Sequence, residues 1–415
     1  MKQREHLFVF IVIICSLILK YVVYYNYPLP QFVDVKTYIS QGANFINNGK
    51  LDHHIMPLYP IFLYFSEKLI GIIHFNILIS TFNVIGLYLI AKIIFSQNKN
   101  YSYLVLLAIS FYPYNIFFSI SGFAENFYIF FLIYFFLFMY LEKPFIGILF
   151  AITGLYVKSN HEFLIPVIII IFFIFIYKKN LKKTFIFLGI TFVTYVILML
   201  PWWYFNYQKY DSFVRTNLGW SYPLYIGNNI YNKSGGGIYI DKYDVEKYPE
   251  RFSKIQKDFS LEPFRNQKGF EIVNNEVQVK SESTIEDIKI RDKLFKQKAL
   301  DFIFNQKIQF IKLTFIKLKR FWGIFPSSQE FQDIKYKLLG IGVTLPLFIF
   351  SFLGVLITVK KKFFYFYPIL TLIFYYNIIH ILTIVSFRYR YPVENFLILL
   401  AVYAVLYLNK LVRKK

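Results

Sequence analysis

Asp34, Asp52 and the adjacent pair His53–His54 stand together in one polar stretch, "QFVDVKTYISQGANFINNGKLDHHIMPLYP" (31–60), directly behind a long apolar run. A carboxylate at a helix start has two readings. It caps free backbone N–H groups and meets the positive end of the helix dipole, or it faces a substrate and takes a proton from it. Residue type alone leaves both open. The histidine pair is suited to a metal or to a sugar, but adjacent histidines rarely share one metal, and no clear third ligand accompanies them. Tyr59, inside the Pro-Leu-Tyr-Pro turn, is a further candidate substrate contact.

Other reactive groups fall at the ends of apolar runs. Glu125 stands in "SGFAEN", Lys158 and His161 in "KSNHE", and Arg388 and Arg390 in "SFRYRYP". Each has a structural alternative: Glu125 caps a span, and Lys158 and the arginines anchor an interface. Ionisable groups near hydrocarbon cost a few kcal/mol and usually face a protein interior or a cavity. Two arginines separated by one tyrosine also offer forked donors that match a phosphate. Other motifs are uninformative. "SGGG" (234–237) lacks the Lys-Ser/Thr of a nucleotide phosphate loop, no dinucleotide fingerprint is present, and "NKS" (232–234) is a formal glycosylation sequon.

The elements that must position these groups are membrane helices. Of 415 residues, 57% are hydrophobic and 17% charged, against about 25% charged in a soluble domain. The net charge of +22 does not indicate nucleic acid, because the Lys and Arg residues flank apolar runs. Such flanks set topology and meet anionic headgroups. A single cysteine, Cys15, rules out a disulfide framework within the chain. Lys2 and Arg4 precede an apolar stretch without a small-residue cleavage site, which predicts an uncleaved first span.

The expected fold is an all-α polytopic membrane protein with about ten spans: 7–25, 72–95, 102–119, 123–141, 145–158, 162–177, 184–204, 337–358, 363–385 and 392–409. With the N-terminus in the cytoplasm, Lys99, Lys143, "YKKNLKK" (177–183), "KKK" (360–362) and the tail "NKLVRKK" all fall inside, as positive charge requires. Both termini are then cytoplasmic in the plasma membrane, and the reactive groups gather on the outward side. Three blocks follow: 1–204 as the first membrane module, 205–336 as a large outward segment, and 337–415 as the last spans. Residues 34–48 read as a short interfacial helix stopped by Gly49, and 60–70 as a second helix. A helix from Thr284 to Trp322 ends in "FIKLTFIKLKRFW", whose alternating apolar and basic residues suit a membrane surface. Strongly unequal loop lengths disfavour the inverted repeats of transporters.

In this order the motifs resemble the C-type (GT-C) glycosyltransferases, which include protein mannosyltransferases and the bacterial transferases that move aminoarabinose onto lipid A. The resemblance covers nearly the whole chain: "VDVKTYISQGANFINNGK…PLYPIFLYF", "SGFAENFY", "GILFAITGLYVKSN", "RTNLGWSYPLYIGNN", "RDKLFKQKALDFIFNQKIQFIKLTFIKLKRFW" and "FRYRYPVENFLILL". The chain departs from the family where an acidic pair is reduced to Asp34-Val35, a proline is Ser159, and an Asn-Pro is Asn305-Gln306. The resemblance implies a sugar donor on a polyprenyl phosphate, undecaprenyl phosphate in a bacterium, and an acceptor glycan, lipid or protein. It implies a catalytic pair, Asp34 as base and Glu125 positioning the acceptor or a metal. Lys158, Arg388 and Arg390 would lie on the lipid phosphate, and His53, His54, Tyr59, His161 and Asn228 would contact substrate. A divalent metal ion is a possible cofactor, and membrane lipids are partners. The rival expectations are an O-antigen polymerase, a flippase or transporter for lipid-linked sugar, and a nonenzymatic scaffold.

Overall fold

The computed structural model describes residues 2–29, 32–230, 232–236, 264–273, 276–280, 284–325 and 333–413. Much of the segment expected over 205–336, including Gly237 of the glycine run, lies outside the described residues. The chain is a polytopic helical membrane protein. Among the described residues, six helices are long and apolar enough to cross a bilayer: Gln3–Asn26 within α1 (Lys2–Asn26), α4 (Ile72–Ile94), α10 (Leu181–Tyr210), α14 (Ile334–Lys361), Phe364–Leu382, which includes α15 (Tyr367–Leu382), and α16 (Phe387–Val412).

Of the other four segments expected to span, one is a bent pair that is long enough as a whole, and three are shorter. α5 (Lys99–Ser110) and α6 (Pro113–Ile120) form one apolar pair bent by 50°. Pro113 starts the second helix, because its ring cannot continue the first. α7 (Ala124–Tyr140), α8 (Pro144–Leu155) and α9 (Leu164–Ile171, prolonged by a π-turn over Phe172–Ile176) are shorter. At 1.5 Å per residue, the 12 residues of α8 reach about 18 Å, short of the ~30 Å hydrocarbon layer.

Two compact units divide the chain. The first takes residues 1–201, 324–375 and 390–415, and the second takes 202–323 and 376–389. The first unit is organised around α7, which is apolar on every side and buried along nearly its whole length. A helix with that pattern belongs in an interior. Lipid-facing positions instead show exposed apolar side chains, as at Phe10, Ile18 and Val22 of α1 and Phe185, Phe192 and Ile197 of α10.

A chain of buried polar contacts ties four helices of this unit. Lys20 Nζ donates to Ser80 Oγ (2.8 Å), Ser80 Oγ to Asn115 Oδ1 (3.1 Å), and the Tyr391 hydroxyl to the same Asn115 oxygen (2.9 Å). Such bonds hold helices together where apolar burial against lipid gives little preference. α2 (Val33–Asn48) and α3 (Leu58–Leu69) pack as a pair, and Gly42 permits it. A Cβ there would stand 2.2 Å from the Pro60 carbonyl oxygen. α2 ends at Gly49 in the left-handed conformation (φ 63°), where the Gly49 N–H donates to the Phe45 carbonyl (2.9 Å) and the Lys50 N–H to the Asn44 carbonyl (3.4 Å), as the sequence predicts.

In the second unit, α11 (Ser221–Gly227), the hairpin β1 (Phe270–Val273) and β2 (Glu276–Val279), α12 (Ile285–Asn305) and α13 (Lys307–Phe321) are the described elements between 211 and 323. Leu224, Tyr225, Ile226, Phe264, Val277, Phe295, Ala299 and Ile384 form its core. α12 begins with a reciprocal capping box between Thr284 and Asp287. Those hydrogen bonds hold the Asp287 carboxyl below its ordinary value. The single helix expected over 284–322 is broken at Gln306, whose φ −116° and ψ 50° leave the helical region.

Candidate functional site

Asp34 is not the cap of α2. The N-cap is Phe32, which makes no side-chain capping bond, and Asp34 lies exposed in the first helical turn behind it. Glu125 has the same placement on α7, behind the N-cap Phe123, again without a side-chain capping bond. The two N-cap rings stack on each other, with centroids 4.5 Å apart. Two helix N-termini are thereby fixed side by side, each with an acid in its first turn where the dipole favours negative charge. Val35 reinforces the join, lying under the turn at Gly122. The Tyr59 hydroxyl donates to the Gly122 carbonyl.

Glu125 is buried, and its Oε1 receives Lys158 Nζ at 2.5 Å. The side chains are 2% and 17% exposed, so the pair is largely shielded from water. Lys158 follows α8, and that segment is tied to α3 by the Leu58 N–H on the Tyr156 carbonyl (2.9 Å). α2, α3, α7 and the end of α8 therefore converge around Asp34, Tyr59, Glu125 and Lys158.

The histidine pair lies on the loop between α2 and α3, and Asp52 there is pinned by Gln41 through two reciprocal bonds of 2.8 and 2.9 Å. Packing holds the His54 imidazole below its ordinary value, while the Asp52 and Asp34 carboxylates favour its charged form. The residue keeps broad solvent contact, so the packing effect is shallow and the ring stays accessible. His54, expected to contact substrate, is thus within the electrostatic reach of Asp34.

The other expected site residues are held by packing and hydrogen bonds of their own. His161 is a core histidine, 1% exposed, with Nε2 on the Ala151 carbonyl and its ring against Tyr128. Tyr59 is fully buried and holds α3 to the turn before α7. Arg390 is fully buried, with Nε 2.6 Å from Glu394 Oε1 and its guanidinium over the Phe348 ring. The second Glu394 oxygen accepts the Tyr112 hydroxyl at 2.7 Å. A guanidinium committed in this way is part of the helix packing. Arg388 and Asn228 belong to the second unit. Asn228 is buried there and donates to the Leu224 and Leu382 carbonyls while accepting from Lys317 Nζ at 2.8 Å. Among the described residues, no three His, Cys, Asp or Glu side chains lie close enough together to hold a metal ion.

Sequence reasoning missed two buried lysines. Lys20 is a lone charge inside the first apolar run, which is itself the signal. Lys317 falls between Leu313 and Phe321 at helical spacing, and all three are buried. Its Nζ donates to Asn228 Oδ1 and to the Ile381 carbonyl (2.9 Å). Burial pushes the Lys317 amine down to about 7.

Compared with protein-family models, with curated proteins and with solved structures, the chain matches none.

Proposed function

We propose that this chain is an integral membrane glycosyltransferase. It moves a sugar from a polyprenyl-phosphate donor to an acceptor on the outer side of the membrane and inverts the anomeric centre. Asp34 takes the proton from the acceptor hydroxyl or amine. The acceptor atom attacks the anomeric carbon as the bond from that carbon to the phosphate oxygen breaks, and the phosphate leaves with the electron pair. Lys158, held by Glu125, offsets the charge that grows on the phosphate, an effect that is stronger where water is scarce.

The reading carries with it ten membrane passages, shorter helices included, with both termini cytoplasmic. The carrier is undecaprenyl phosphate if the source is bacterial. What carries the reading is the Phe32–Phe123 stack, which sets the Asp34 turn of α2 beside the first turn of α7, where Glu125 receives Lys158.

The test is transfer from labelled polyprenyl-phosphate sugars by the protein in vesicles. Asp34→Asn is expected to abolish transfer with membrane insertion unchanged. Full activity in that variant would remove Asp34 from the reaction. Movement of the lipid-linked sugar across the bilayer without transfer would replace the enzyme with a flippase.

A further inference from the structure

α13 has two faces with different commitments. One buries Leu313, Lys317 and Phe321, and Lys317 Nζ and Arg320 Nε bond the Ile381 and Val385 carbonyls of the same unit. These bonds fix the rotation of the helix about its axis. The opposite face is open. Ile308 is 72% exposed, Ile311 54% and Phe315 67%. Their spacing of three and four residues places them in one stripe.

Exposed lysines border that stripe, Lys307 on one flank and Lys312 and Lys319 on the other. The whole of α13 contains five basic residues and no acidic one. A helix face turned only to water has no use for Ile, Ile and Phe in line. A purely ionic partner would not need them, and a purely apolar one would be opposed by the lysines. A bilayer surface offers both chemistries at the right heights, with acyl chains beneath and phosphates above, reached by lysines that extend along the boundary. The bilayer is also at hand, because the candidate spans α10, α15 and α16 each run directly into the second unit.

We propose that α13 is a lipid-binding surface helix. Ile308, Ile311 and Phe315 seat in the acyl boundary, and Lys307, Lys312 and Lys319 bind the phosphates of anionic headgroups. The sequence pattern predicts a surface helix. The structure assigns the face that docks, and charge selects anionic lipid as its occupant. This binding is independent of the transfer reaction.

The test uses the full chain carrying Cys15→Ser, with a single new cysteine at Ile311, at Phe315 or at Gln267, which is exposed on the 264–269 turn. Each is labelled with an environment-sensitive fluorophore and reconstituted into vesicles of phosphatidylcholine with or without phosphatidylglycerol. Lipid-borne brominated chains are expected to quench the probes at 311 and 315 several-fold more than the probe at 267, with aqueous iodide giving the reverse order. The difference should grow with phosphatidylglycerol and shrink when Lys312→Gln and Lys319→Gln are combined. Iodide quenching at 311 and 315 equal to that at 267 would overturn the proposal. Protection of both positions from both quenchers would also overturn it, since a second copy or another protein would then cover the face. Quenching by lipid without any dependence on phosphatidylglycerol would refute the headgroup assignment.

Discussion

Glu125 and Lys158 illustrate how a buried ion pair constrains what each partner can do. Removing one partner leaves a charge in a water-poor setting, and such losses cost about 3–5 kcal/mol. Glu125→Gln and Lys158→Met should each lower the unfolding temperature clearly, while the double variant recovers a large part of the loss. A double-mutant cycle by thermal unfolding in detergent measures the coupling, and additivity of the two losses would show that the pair does not act as a unit. Asp34 should behave in the opposite way. It sits exposed in the first turn of α2, where a carboxylate contributes about 0.3–1 kcal/mol to a helix. Asp34→Asn should therefore barely change stability, so the loss of transfer expected for it is readable as chemistry. Lys317 gives a pH dependence. Its amine titrates near 7 when folded and near the ordinary lysine value when unfolded, so between those limits the unfolded chain binds more protons. Stability then rises with pH from 7 upward, by at most about 1.4 kcal/mol per pH unit, and below 7 the full penalty of burying the charge is present. The unfolding temperature should climb between pH 7 and 9 in the native protein and climb less in Lys317→Met. Equal slopes would show that Lys317 stays charged in the fold.

The pairing of α2 with α3 is the element on which the candidate site rests, and it depends on a close approach at Gly42. A Cβ at that position meets the Pro60 carbonyl at 2.2 Å, and backbone cannot yield as a flexible side chain does. Gly42→Val should cost roughly 1–3 kcal/mol or more by overpacking. It should also displace the Asp34 turn, so transfer falls together with stability. An unchanged unfolding temperature would show that α3 moves aside freely. These two helices were legible in the sequence because their signals are local: an apolar face at helical spacing, a glycine stop, and prolines in a first turn. The Phe32–Phe123 stack, the Glu125–Lys158 pair and the Tyr112–Glu394 bond were not legible, since partners far apart in the chain leave no local period to read. The resemblance placed Glu125 and Lys158 near each other without indicating that they neutralise one another. Arg390–Glu394 sits at i,i+4 spacing and was open to prediction. The break between α12 and α13 has no proline or glycine to mark it. Asn305 is only a weak helix former, and the apolar pattern runs on without a shift. Whether the short α7, α8 and α9 cross is not legible from hydropathy, which reports burial in protein and burial in lipid alike.

The chain crosses between its two units several times, which makes the second one discontinuous in sequence. Residues 202–323 supply α11, the hairpin, α12 and α13, while 376–389 return from the last spans. That short return is not an accessory. Its carbonyls at Ile381, Leu382 and Val385 accept from Lys317, Asn228 and Arg320, Asn377 accepts from Trp322, and Ile384 enters the core. Two of these donors, Asn228 and Lys317, are buried, and each left without an acceptor costs about 1–3 kcal/mol. With Ile384 also lost from the core, that is a large share of the stability of a small domain, about 5–15 kcal/mol. A fragment of 202–323 alone should therefore fail to fold cooperatively, although it contains nearly all the regular structure of the unit. Joining 376–389 to it through a flexible linker should restore protection, because the acceptors and Ile384 return together. Limited proteolysis and thermal circular dichroism of the two fragments make the comparison. A cooperative transition in the shorter fragment at the temperature of the longer one would show that the return segment only rests on a unit already complete. Failure of the shorter fragment with recovery in the longer would show that the membrane spans, by returning the chain at 376–389, finish the fold of the second unit.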